Sequence, residues 1–325
     1  MINRGYPSVK EDDDMISLSD GKFQLSVRSA CFLMAAITIF RGSSFLLSKH
    51  LLGTMEPLNL LGLRFLLAFL LLFVLFGKKV IQTIKKDPAI IGASALLGGV
   101  YYLCMASELC GLRFTTSSTC SFLENTAIVM VPVMEAILLR RMPKPVILIS
   151  TVVTVVGIGL IALYGNAGTG VGIGELLCIV AALMYAAAII ITDRLSKKHD
   201  PMTLGILYVG FMGILGLISS FFTESTHLPQ SGNEWIVLLA LAVLCTCFGF
   251  TLQPVAQKPI SSETAGIICA LNPLTTAVLG WLILGEALGA SGLAGAVLIL
   301  IGLLLPNLHR FRPRSRECAG TTTVL

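Results

Sequence analysis

Between residues 29 and 308 the chain alternates long apolar runs with short polar breaks. Ten runs can be marked, near 29–48, 58–76, 89–110, 117–139, 146–164, 172–192, 203–222, 235–254, 262–284 and 289–308. Each approaches the roughly 20 apolar residues that a helix needs to cross a bilayer. The runs are continuously apolar and about twice the length of the alternating segments of a spanning barrel, so they read as helices. The pattern predicts an all-α polytopic membrane protein with ten transmembrane helices. A polar stretch, 1–28, precedes the first run and carries the acidic block Glu11-Asp12-Asp13-Asp14. It is too long and too acidic a lead for a secretory signal and reads as a disordered cytoplasmic tail. Residues 309–325 form a basic tail.

Composition agrees. Only 13% of the 325 residues are charged and 55% are hydrophobic, against about 25% charged in soluble domains. This excludes a soluble enzyme, a disordered chain and a nucleic-acid-binding domain. The net charge of +5 is mainly an orientation signal, because 19 of the 23 Lys and Arg residues fall on the N-terminal tail's side of the ten-span arrangement. Lys49 and Arg113 lie opposite, and Arg41 and Arg64 lie inside spans. The positive-inside rule then predicts cytoplasmic termini in a plasma-membrane protein.

The chain also echoes itself. Pro57 and Pro201 are 144 residues apart, and Gly157 and Gly302 are 145 apart. Two units of five spans follow, 29–164 and 171–308. Five is odd, so the second unit enters the membrane inverted, an arrangement that recurs in secondary transporters.

With these features the sequence resembles the EamA-type members of the drug/metabolite transporter superfamily. In the second half the resemblance rests on Pro201, Trp235, Ser261-Ser262, Asn272-Pro273, Gly280 to Glu286 and Gly295 to Gly302. In the first half it rests on Gly42-Ser43-Ser44-Phe45, Lys49, Pro57 and Arg64 to Ala68. It implies a ten-helix transporter of small metabolites, often an exporter, with a central cavity lined by helices 1, 3, 4, 6, 8 and 9. The chain departs from the pattern at Arg41, where Trp is usual, and at Arg140-Arg141, where the counterpart of Gly285-Glu286 is lost. Glu108 and Glu124 stand where apolar residues are usual.

Charges at bilayer depth are functional candidates by default. At about 1.5 Å per residue, Arg41, Arg64 and Glu124 fall in one layer with Asn125, and Glu108 lies further toward the opposite side. Pairing is expected there. Arg41 is a candidate to hold a substrate carboxylate or phosphate, and Glu124 to hold an amine or exchange a proton. The alternative is a buried ion pair that fixes helix packing. For Arg64 a structural role is favoured, and Glu108 is a second ion-pair or proton-coupling candidate. Tyr101, Tyr185 and Asn272, with Tyr102 and Gln253, supplement the layer as candidate substrate-binding groups. Pro132 and Pro273 are expected to kink spans 4 and 9, for rocking or for packing alone. Glu135, Glu175 and Glu263 fall toward span ends, where a solvated or capping role is expected.

Other chemistry is absent from the reading. The nine cysteines lack metal-ligand spacing and read as small apolar residues. The run Gly168 to Gly174 lacks the lysine of a phosphate loop. Gly285/Gly289, Ser291/Gly295 and Ala182/Ala186 are expected to allow close helix approach. No catalytic residue, metal or cofactor, nucleic-acid partner or ATPase subunit is expected. The predicted partners are a small-molecule substrate and membrane lipid, with a monomer sufficient for ten spans. A secondary transporter moving a small polar metabolite by alternating access is therefore favoured. The alternatives are a membrane enzyme on lipid-linked substrates and a channel-like facilitator or receptor.

Overall fold

The computed structural model of the protein describes residues 16–19, 22–138, 145–165, 172–260, 262–269, 271–285 and 289–308. The expectations placed on Arg140, Arg141, the 168–171 stretch, Ser261, Glu286, the acidic block and the C-terminal tail lie outside the described residues. Part of the N-terminal tail expected to be disordered forms a hairpin, β1 (Ile16–Ser19) antiparallel to β2 (Lys22–Leu25).

Helices follow in the expected order. In the first repeat they are α1 (Val27–Leu51), α2 (Pro57–Lys86), α3 (Ala89–Leu112), α4 (Ser117–Asn125), α5 (Ala127–Leu138) and α6 (Pro145–Gly165). The second repeat holds α7 (Ile173–Lys198), α8 (Pro201–Thr223), α9 (Gly232–Ala240), α10 (Thr251–Gln257), α11 (Ser262–Cys269), α12 (Leu271–Leu279) and α13 (Ala290–Leu308). A π-helical stretch, Leu241–Phe250, fuses α9 to α10, and a second, Gly280–Leu284, extends α12.

Seven segments are long and apolar enough to cross a membrane: α1, α2, α3, α4–α5, α7, α8 and α9–α10. The other three carry shorter apolar stretches, Leu148–Leu160, Leu271–Leu284 and Ala290–Gly302. The outward side chains of the long helices are those of a lipid-facing surface, with Val74 and Leu75 of α2 and Phe221 and Phe222 of α8 largely exposed.

The packing is reciprocal, as two inverted copies require. α2 packs on its counterpart α8 and α6 on its counterpart α13, while α3 packs on α7 just as α9–α10 packs on α1. Pro57 and Pro201 occupy the first turns of α2 and α8, where a missing N–H is harmless. The α2–α8 seam is glycine-lined. A Cβ on Gly62 would meet the Leu217 amide at 2.6 Å, and one on Gly216 would meet the Gly62 amide at 2.7 Å. Gly157 faces Gly295, and Gly302 faces Thr154, across the α6–α13 seam. Gly285 does not serve close approach. Its φ of 65° is left-handed, and it ends the Gly280–Leu284 stretch with nothing within 4 Å of a would-be Cβ.

Polar contacts lock the two ends. At the end carrying loops 52–56, 113–116 and 224–231, called distal here, Glu224 accepts from the Leu58 and Asn59 amides at 3.1 and 2.9 Å. The first amides of α2, which its own helix cannot satisfy, are thus capped from the second repeat. Arg113 pairs with Glu56 at the same end. At the opposite end Asp87, just after α2, meets His199, just before α8, at 2.5 Å.

Candidate functional site

Arg41 lies in the middle of α1, 5% exposed. Its Nη1 donates to the Tyr185 hydroxyl of α7 at 2.8 Å and to Gln253 Oε1 of α10 at 3.1 Å. Its Nη2 lies 3.8 Å from Glu124 Oε1 of α4. The guanidinium carbon is 4.6 Å from the Tyr185 ring centroid and 4.5 Å from that of Phe250. One cation therefore joins both repeats, held by a phenol, an amide, a carboxylate and two aromatic faces.

The π stretch explains part of this geometry. Thr246 Oγ1 donates to Leu241 O five residues back at 3.1 Å. The widened turn rotates Thr246 toward Arg64 and brings Gly249, Phe250 and Gln253 against Arg41. Gly249 packs closely on Arg41: a Cβ there would lie 3.2 Å from Arg41 Cγ.

Glu124 is fully buried. Cys104 donates weakly to its Oε1 at 3.8 Å, and its Oε2 accepts no hydrogen bond. Glu108, one turn from the end of α3, is 3% exposed. Tyr101 stacks on Tyr208 at 5.1 Å and meets Phe250 edge-on at 5.8 Å. Its hydroxyl, near Thr192, makes no well-formed hydrogen bond. These rings form an apolar wall beside the charged pair.

Other expectations are met differently. Arg64 makes no ion pair among the described residues. Its Nε donates to Thr246 Oγ1 at 2.7 Å and its Nη1 to Ser48 Oγ at 3.5 Å, and it lies over Phe65. Hydroxyls and ring faces replace the expected carboxylate because Glu124 is taken by Arg41. Asn125 turns back on its own helix, donating to Ser121 O at 2.8 Å. Asn272 packs against Gly42, next to Arg41, and its buried Oδ1 has no partner. The interruption of span 4 falls at Thr126, whose hydroxyl donates to Leu123 O at 2.6 Å, six residues before Pro132. In span 9, Pro273 lies in α12 and lacks the N–H that would bond the Cys269 carbonyl four residues back. Glu175 is not solvated, but it stands in the first turn of α7, where a carboxylate complements the helix start. It is 2% exposed and accepts from Thr115 Oγ1 at 3.0 Å.

Phe250, Tyr208 and Cys104 were not singled out by sequence, since aromatic and thiol residues inside apolar runs carry no local signal. Among the described residues no group of three or more His, Cys, Asp or Glu could hold a metal ion.

The EamA-like transporter family matches residues 28–163 and 172–308. The chain belongs to this family. Both matched stretches coincide with the two repeats. An uncharacterized transporter of Archaeoglobus fulgidus is 25% identical over 280 residues, covering 84% of this chain and 95% of its own. One from Bacillus subtilis is 22% identical over 301 residues, 90% of each chain. The S-adenosylmethionine/S-adenosylhomocysteine transporter of Chlamydia trachomatis serovar L2 is 25% identical over 295 residues, 87% of this chain and 90% of its own. A solved crystal structure superposes with a TM-score of 0.67 at 16% identity, over 88% of this chain and 99% of its own. This EamA-like chain is therefore a multi-pass membrane protein of the transporter type, with a small molecule as the class of partner.

Proposed function

We propose that this EamA-like protein is a secondary transporter of a zwitterionic metabolite of the amino-acid type, moved outward by alternating access. The Arg41–Glu124 pair carries the reading. A substrate carboxylate would take the guanidinium together with the unpartnered Gln253 Nε2. The ammonium group would take Glu124 Oε2, and a planar or apolar side group would lie on Tyr101 and Phe250. Bidentate recognition of a carboxylate suits arginine. The C. trachomatis relative's named substrates both carry an α-amino acid head and a planar base, which supports this class. Burial of the Glu124 and Glu108 carboxyls favours holding a proton in a dry site, and its release would couple export to protons. The basic loops support cytoplasmic termini in a cell membrane, with two repeats of residues 29–164 and 171–308. The interruption at Thr126 in span 4 and Pro273 in its counterpart, span 9, suit rocking about the pair.

Counterflow in proteoliposomes tests this. Tritiated S-adenosylmethionine and a panel of neutral amino acids are offered to wild-type protein, Arg41→Ala and Glu124→Gln. The expected result is accumulation of at least one solute by wild type, lost in both variants. Should no solute accumulate above protein-free vesicles, or should the folded variants match wild type, the pair is only a packing device.

A further inference from the structure

We propose that Cys120 and Cys178 form a dithiol site that a two-electron thiol oxidant converts to a disulfide, tying the two repeats together on the distal side of the substrate pair. Cys120 belongs to α4 in the first repeat and Cys178 to α7 in the second. Both are fully buried, and their sulfurs lie 3.0 Å apart. Closure to the bonded distance of about 2.05 Å needs a shift of roughly 1 Å, within ordinary side-chain adjustment.

The surroundings make the bond consequential. About one turn toward the distal end, Glu175 accepts from Thr115 Oγ1 at 3.0 Å. Lys49 Nζ donates to the Leu112 and Thr115 carbonyls at 2.6 and 2.7 Å. These contacts join α1, the 113–116 loop and α7 above the two thiols. Below them Cys120 donates to the Glu108 carbonyl at 3.8 Å, and Glu124 follows one turn further along α4. The thiols therefore sit between the distal closure and the charged site. Parting α4 from α7 opens that route and admits the oxidant; a covalent bond forbids the parting.

The chemistry balances with a disulfide-class oxidant. One cysteine thiolate attacks a sulfur of RSSR and expels RS⁻; the second cysteine attacks the mixed disulfide and expels the other. Two protein thiols are oxidised, RSSR is reduced to two RSH, and the two protons leave with them. The effect on transport rests on the alternating-access reading; the bond itself does not.

The test uses full-length protein in detergent, purified under dithiothreitol and then treated with oxidised glutathione. Peptide mapping should recover a Cys120–Cys178 link, absent in Cys120→Ser and in Cys178→Ser. Hydrogen exchange across 117–125 and 173–180 should slow at least tenfold on oxidation and return with dithiothreitol. In proteoliposomes, wild-type counterflow of tritiated S-adenosylmethionine should fall by at least tenfold and recover on reduction, while Cys120→Ser is indifferent. Absence of the linked peptide overturns the dithiol site. A linked peptide with unchanged exchange overturns the closure. If the reduced protein carries no solute at all, the transport reading fails on its own, and the peptide map and exchange still decide this proposal.

Discussion

Gly249 fixes the path of Arg41, because a Cβ at Gly249 would stand 3.2 Å from Arg41 Cγ. Gly249→Ala should shift the guanidinium by a few tenths of an ångström without unfolding the protein. Positioning losses of about 100-fold accompany errors near 1 Å in pre-organised sites, so a drop of about tenfold in counterflow is expected. Wild-type transport by folded Gly249→Ala would show that Arg41 is not positioned for substrate.

Arg41 and Glu124 are expected to be coupled. Removing one partner of a buried pair costs about 3–5 kcal/mol, because the other charge is stranded. Arg41→Ala should therefore destabilise the protein more than the Arg41→Ala, Glu124→Ala double variant does. Thermal unfolding in detergent measures the cycle, and additive effects would argue against a working pair.

Arg64 should behave as structure. Its bonds go to Thr246 and Ser48 rather than to a carboxylate. Arg64→Met leaves both hydroxyls able to turn to their own helices, so stability should fall by about 1–3 kcal/mol with the substrate KM unchanged. A selective change in KM at full stability would move Arg64 into the binding site.

The α2–α8 seam tolerates no added volume. Gly62→Val places a side chain where the Leu217 amide already lies 2.6 Å away, and overpacking of this kind costs roughly 1–3 kcal/mol. The melting temperature should drop clearly. An unchanged melt would mean that the helices stand further apart than described.

At the start of α9, Ser231 and Glu234 cap the helix. Ser231 Oγ accepts from the Glu234 amide at 3.2 Å, and Glu234 Oε2 accepts from the Gln230 amide at 2.7 Å. The Gln230 amide, with the Ser231 contacts, holds the Glu234 carboxyl below its usual range. A depressed carboxylate stabilises fully above the unfolded value, about 4.3, and the gain is lost as pH falls through the folded value. Amide protection over 232–236 should fall on acidification in wild type and stay flat in Glu234→Gln.

Much of this was legible in the chain. Apolar run length gave the order of the helices, and Pro57 and Pro201 sit at matching first turns because that site needs no N–H. Arg41 and Glu124 had to meet because isolated charges are costly at that depth. What escaped was tertiary. The π turn that swings Phe250 and Gln253 onto Arg41 leaves no periodic trace. Neither Gly62 nor Gly216 reveals its partner, and Cys120 and Cys178, 58 residues apart, are joined only by the packing of α4 on α7. The interruption of span 4 at Thr126, six residues before Pro132, likewise leaves no mark in the apolar pattern.

The cap that Glu224 places on α2 has a consequence for biogenesis. The residue completing the start of α2 is made 166 positions after the Leu58 amide it satisfies. When α2 leaves the ribosome, its glycine-lined face has only lipid or translocon to touch, and its first amides have only water. The first repeat therefore waits, inserted but unfinished, until α8 is synthesised. A chain truncated before Glu224 should be recognised by membrane quality control as incomplete, however well its seven apolar runs insert.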